Sequence, residues 1–186
     1  MIGNSIAGFL GTGVAASTSS YESIATATGT ALSATISFTS IPSTFKHLQI
    51  RVLGRSSNVA TNDLFTVFAN GDTTAGNYAY HRLNGDGATV TTTGAASSSP
   101  RIGYVTGASA TADIMGVTIL DIIDYASTTK NKTFRSFSGQ DRNGAGIVWL
   151  ASGLWMSTSA INQIDLTLVG LNWTTQSTIA LYGIKG

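Results

Sequence analysis

The residues able to do chemistry are few and scattered along the chain. His47 and His81 are the two histidines, and a zinc site would need both of them plus a carboxylate. Each falls in a strand-like stretch and reads as a hydrogen-bonding residue on a strand face. Asp121 and Asp124 lie three apart in one strand-like run, so a two-residue repeat points them to opposite faces. They form no carboxylate pair from that strand, whereas a glycosidase needs two carboxyls across a cleft. Of the remaining aspartates, Asp63, Asp72, Asp86, Asp113, Asp141 and Asp165, those beside glycine or asparagine read as turn residues. Serine is abundant, but no G-x-S-x-G elbow presents one as a nucleophile.

Two motif fragments need a context the chain does not supply. Gly11-Thr12-Gly13-Val14-Ala15-Ala16 matches G-x-G-x-x-A, yet Ser17-Thr18-Ser19-Ser20 follows where a dinucleotide site requires a helix. Asn70-Gly71-Asp72 and Asn84-Gly85-Asp86-Gly87 are too short for a calcium loop, which gathers six or more oxygens, and read as tight turns. The absence of cysteine excludes disulfides, a thiolate nucleophile and a cysteine zinc site. No catalytic, cofactor-binding or metal-ligating residue is therefore assigned, and the expectation is a non-enzyme without a cofactor. Trp149, Trp155 and Trp173, with tyrosines such as Tyr78, Tyr80 and Tyr104, either stack on sugars or fill a core. The core or a subunit interface is the reading preferred here.

Composition points the same way. Only 10% of the 186 residues are charged and the net charge is +1, against about 25% charged residues in ordinary soluble domains. Serine and threonine, roughly a quarter of the chain, take their place. A hydroxyl-rich, weakly charged surface carries little self-repulsion, so contact with neighbours is electrostatically easy. Arg51 with Arg55, and Lys130 with Lys132 and Arg135, are the nearest approach to a basic patch. Nucleic-acid binding, which needs clustered cations, is not expected. No run is long and apolar enough to cross a bilayer as a helix. Residues 1–16 lack the positive start and unbroken apolar core of an export signal.

The elements that position these residues read as strands. Glu22 is the sole glutamate and β-branched and aromatic residues are plentiful. Leu48, Ile50 and Val52 alternate with Gln49 and Arg51, and Ile164, Leu166 and Leu168 alternate with Asp165 and Thr167. Further strands are expected at Tyr21 to Thr28, Ser33 to Phe38, Leu64 to Ala69, Asn77 to Leu83, Ile114 to Asp124, Lys132 to Ser138 and Gly146 to Trp155. Thr178 to Ile184, continuously apolar, is expected as a central strand. Gly87 to Ser99 reads as a long surface loop. About nine or ten short strands predict an all-β, antiparallel β-sandwich, jelly-roll-like, over 21–186, with an extended N-terminal arm over 1–20.

The chain resembles a family of small virion proteins of tailed bacteriophages, of the cyanobacterial and marine phage type. The resemblance rests on Tyr21-Glu22-Ser23-Ile24-Ala25, Phe38-Thr39-Ser40-Ile41-Pro42 and Phe45-Lys46-His47-Leu48-Gln49-Ile50-Arg51. It continues through Tyr80-His81-Arg82-Leu83, Asn84-Gly85-Asp86-Gly87, Ser152-Gly153-Leu154-Trp155 and Leu181-Tyr182-Gly183-Ile184-Lys185. It implies a β-sandwich module on the outside of the particle, assembled in the bacterial host cytoplasm, with no catalytic residues to carry over. The expected role is a capsid decoration (cement) protein, a homotrimer by analogy with jelly-roll virion proteins, bound to others such as the major capsid protein. The alternative is a tail-fibre or tail-tip component recognising host surface glycans. In the arm, Ile2, Ile6, Phe9, Leu10 and Val14 are the expected subunit-contact residues, because left free they would hold apolar surface in water.

Overall fold

The computed structural model describes residues 19–96 and 99–186. The arm residues Ile2, Ile6, Phe9, Leu10 and Val14, and the glycine motif at 11–16, lie outside the described residues. Twelve strands account for nearly all the regular structure. They are β1 Tyr21–Thr28, β2 Thr35–Phe38, β3 His47–Gly54, β4 Asn62–Ala69, β5 Tyr78–Gly85 and β6 Val90–Ala96. After these come β7 Arg101–Thr106, β8 Gly116–Ile123, β9 Lys132–Asp141, β10 Gly146–Trp155, β11 Ile164–Leu168 and β12 Thr178–Ile184. One 3-10 turn, Ala75–Asn77, precedes β5.

The strands form two antiparallel sheets of unequal width, arranged as a sandwich. The large sheet has the order β1-β12-β3-β8-β9-β10-β5-β6, and the small one β2-β11-β4-β7. The core lies between them. Leu48, Ile50, Leu120, Ile122 and Phe134 face inward from the large sheet, and Phe65, Val67, Ile164 and Leu166 from the small one. Trp173, on the loop before β12, is fully buried beside Phe65, with its indole N–H donated to the Leu166 carbonyl at 3.3 Å. A buried indole N–H usually finds such a partner.

Two strands departed from expectation. Val90–Ala96 is a strand, not part of a surface loop, paired through seven residues with β5. Its Thr/Gly/Ala composition carries no apolar alternation because it buries almost nothing, so the usual strand signal is missing. Arg101–Thr106, for which no strand was expected, forms β7, whose Ile102 and Val105 are fully buried. β12 lies between β1 and β3, interior to its sheet, as its apolar run suggests.

The turns follow from their residues. Asn70 and Gly71 both take positive φ between β4 and β5, and Asn143 and Gly144 do the same between β9 and β10. That pair of conformations suits a tight hairpin. The Asn70 side chain also accepts the amides of Asn162 and Gln163, tying this turn to the approach to β11. Arg55 fixes a longer loop: its guanidinium donates to the carbonyls of Ala108, Ala110, Thr111 and Ile114. One buried cation thus replaces water for four backbone acceptors.

Gly103 on β7 marks the tightest approach between strands. A Cβ there would sit 1.8 Å from the Phe65 ring. Gly103→Ala is expected to destabilise the fold by about 1–3 kcal/mol through overpacking, read as a lower urea midpoint at unchanged slope.

Candidate interaction surface

The outer face of the large sheet, turned away from the core, is the chain's most unusual surface. Strand register sets its side chains in rows. One row reads Leu53, Val117, Gly139, Val148, Gly85 and Val90 across β3, β8, β9, β10, β5 and β6. The next reads Arg51, Ile119, Phe137, Leu150, Leu83 and Thr92 over the same strands. The eight large apolar side chains of these two rows are each 40–71% exposed. An antiparallel sheet with one wet face ordinarily places polar residues there.

A polar row borders the apolar pair: Gln49, Asp121, Arg135, Ser152 and His81. Its charges are spent within the row. Arg135 meets Asp121 at 2.9 Å, the Gln49 amide donates to Asp121, and Arg51 donates to Gln49. Arg51 also lies over the Tyr182 ring, 5.0 Å from its centroid. Charges paired in this way leave little field to repel an approaching surface.

The face is corrugated. Gly139 and Gly85 leave a shallow trough of about 610 Å³ beside Val117 and Val148. A second hollow, about 540 Å³, lies over Leu83 and Leu150 between His81 and Arg135. A third, about 290 Å³, separates Ile119, Phe137 and Leu150. All three are open and largely apolar, the form of recesses that receive protruding side chains.

The residues examined for chemistry are kept apart by the same sheet. His47 on β3 and His81 on β5 share the outer face but stand four strands apart, about 19 Å at ordinary strand spacing. His47 accepts the Asp124 amide through Nδ1 at 3.1 Å. Asp124 is not in the strand at all: β8 stops at Ile123, and Asp124 turns the chain with φ of 51°. It binds Lys130 at 2.7 Å and Lys46 at 2.8 Å. Those two ammonium groups, Lys130 foremost, hold its carboxyl down to about 2. Asp121 and Asp124 thus serve separate cations. Among the described residues no group of three or more His, Cys, Asp or Glu side chains could hold a metal ion. Asp63 and Asp165 lie in strands β4 and β11 and are buried, unlike the turn aspartates.

The three tryptophans are all buried. Trp149 packs against Tyr104 with ring centroids 4.8 Å apart and carries the Arg82 guanidinium 4.5 Å over its ring. Burial pushes the Tyr104 hydroxyl up to about 12. Trp155 stacks near Tyr78, and its indole N–H reaches Asp72 at 2.8 Å. Among the described residues the aromatics more than 40% exposed are Tyr21 and Phe137.

No protein-family model matches the chain, and no curated protein shows significant similarity to it. The apolar outer face was legible only in part. Gly116–Ile123 and Gly146–Trp155 are apolar at both parities, a pattern that signals a strand covered on both sides. The sequence does not reveal that the second cover is absent.

Asp72 gives this end of the sheet its pH sensitivity. The Trp155 indole, then the Asn77 amide and the Thr74 backbone, hold its carboxyl down to about 2. A lowered pKa means the folded state prefers the charged form. The resulting stability is complete above the ordinary carboxylate range and fades as pH falls from about 4 through about 2. Asp72→Asn is expected to cost about 1–2 kcal/mol at pH 7. The gap to wild type should narrow across that acid window in urea titrations.

Proposed function

We propose that this chain is a structural subunit of a phage particle, a capsid decoration protein that stabilises the shell by contact rather than by turnover. The observation that carries the proposal is the pair of adjacent apolar rows on the outer face of the large sheet. Exposed apolar patches beyond a few hundred Å² mark interaction sites on soluble proteins. At ordinary strand spacing an eight-stranded face of this length offers on the order of 1,000 Å². A standard interface takes about 800 Å² from each partner.

The rest of the molecule suits that role. The charge count is low, and on this face Asp121 pairs with Arg135 while Arg51 is held by Gln49 and the Tyr182 ring. A protein spread over a shell in many copies gains from weak contacts made side by side. Most of the segments that carry the resemblance to phage virion proteins fall on β1, β3, β5, β10 and β12 of the large sheet and on adjoining turns, with Phe38 at the end of β2 in the small sheet. In this reading the protein resides in the virion, the outer face meets the major capsid protein, and the N-terminal arm makes a second contact.

The test is co-sedimentation with undecorated capsids. Phe137→Lys combined with Leu150→Lys places two cations in the apolar rows while leaving the core untouched. This double variant is expected to bind at least tenfold more weakly and to lose its protection of the shell against heat. Unchanged binding by a folded double variant would remove the outer face from the proposal. Removal of residues 1–19 tests the arm separately, and a smaller loss of affinity is expected there.

A further inference from the structure

The large sheet ends in a strand whose edge no described residue pairs with. An edge strand presents a row of free backbone N–H and C=O groups, and proteins blunt such edges with charge, proline, bulges, shortness or a cover. Three of the four edges here are blunted. β1 carries a bulge between Ser23 and Ala25, and Glu22 is paired with Lys185 at 3.1 Å. β2 has four residues. β7 begins at Arg101 and closes against Arg55 through a bridge at Thr106.

β6 has none of these devices. Val90–Ala96 is seven residues long, uncharged, free of proline, and in unbroken register with β5. Six of the seven residues are exposed, and the half-buried Ala95 is the one that packs against the core. The small sheet does not reach this far. A strand that buries so little side chain is held mainly by its backbone bonds to β5, and its other edge is equally able to bond.

We infer that β6 pairs with β6 of a second copy, antiparallel and about a two-fold axis, to join two large sheets into one. The occupant follows from the strand itself. Its threonines, glycine and alanines offer no pattern of side-chain pockets, so the backbone is the complement, as in strand addition. The matching edge must be equally long, uncharged and free of bulges, and among the described residues β6 alone qualifies. Antiparallel pairing of identical strands is isologous and closes at two copies. An axis at the middle residue sets Thr93 of one copy opposite Thr93 of the other. The pairing leaves the outer faces free and coplanar. In that register Val90 lies opposite Ala96 and Thr92 opposite Gly94 of the other copy, so each copy's apolar rows end at the seam beside the other's Gly94–His81 row. This association is independent of the particle contact proposed above.

The chain contains no cysteine, which permits a direct test on the full-length protein. Thr93→Cys is expected to form a disulfide-linked dimer under mild oxidation, since opposed residues of an antiparallel pair lie within disulfide reach. Thr26→Cys, on the exposed side of β1, is the control and is expected to cross-link far more slowly. By sedimentation velocity the wild type is expected to be a dimer. Thr91→Lys with Thr93→Lys is expected to raise the dimer dissociation constant at least tenfold at unchanged circular dichroism. Phe137→Lys with Leu150→Lys is expected to remain dimeric while losing capsid binding, which separates this inference from the functional one. A monomer at all concentrations would overturn it. So would a dimer or trimer indifferent to the lysine pair, or equal cross-linking at Thr26 and Thr93.

Discussion

An eight-stranded sheet cannot be covered by a four-stranded one, and most features of this protein follow from that mismatch. The small sheet buries the middle of the large one, where Leu48, Ile50, Leu120, Ile122 and Phe134 meet Phe65, Val67, Ile164 and Leu166. Beyond its reach the inner face must be finished by other means. Toward β5 the finish is aromatic and cationic: Trp149 packs against Tyr104 on one side and carries Arg82 over its ring. At β6 the finish is reduced to Ala95, and the other six residues are exposed. Burial supplies the dominant stabilising term in folding, so the strands outside the shared core depend most on backbone pairing.

Several polar groups in this interior are received by the backbone. Lys132 is fully buried, yet its ammonium donates to the Lys130 and Thr158 carbonyls, and burial lowers its pKa. Thr118 and Ser136 turn their hydroxyls to the Tyr104 and Ile102 carbonyls. Both bonds link β7 of the small sheet to the inner face of the large one. They fix the spacing and register of the sheets with groups that an apolar core alone would leave free to slide. Arg55 does the same for the loop between β7 and β8. These partnerships are structural, which explains why so few charged residues remain to organise a site.

The same economy shapes the outer face. A surface with two adjacent apolar rows invites indiscriminate association, and the bordering polar row tempers it with the Asp121, Arg135 and Gln49 network. This arrangement differs from an enzyme cleft. Its recesses are shallow and apolar, and the titratable groups are distributed across the sheet instead of converging.

Much of this was written in the local chain. Leu48 to Val52 and Ile164 to Leu168 declare strands because a pleated backbone alternates its side chains, and Asn70-Gly71 and Asn143-Gly144 declare tight turns because those residues tolerate positive φ. The absence of cysteine and the scarcity of charge limited the chemistry before any strand was placed. β6 was illegible because a strand held mainly by backbone bonds leaves no hydrophobic rhythm, and Asp124 was misplaced because one residue decides where a strand ends. Which strands become neighbours, and therefore that Ile119, Phe137, Leu150 and Leu83 form one exposed row, depends on pairings between residues distant in the chain. Side-chain alternation is a local property of the backbone, whereas the covering of a sheet face is settled only when the second layer has packed and proved too narrow.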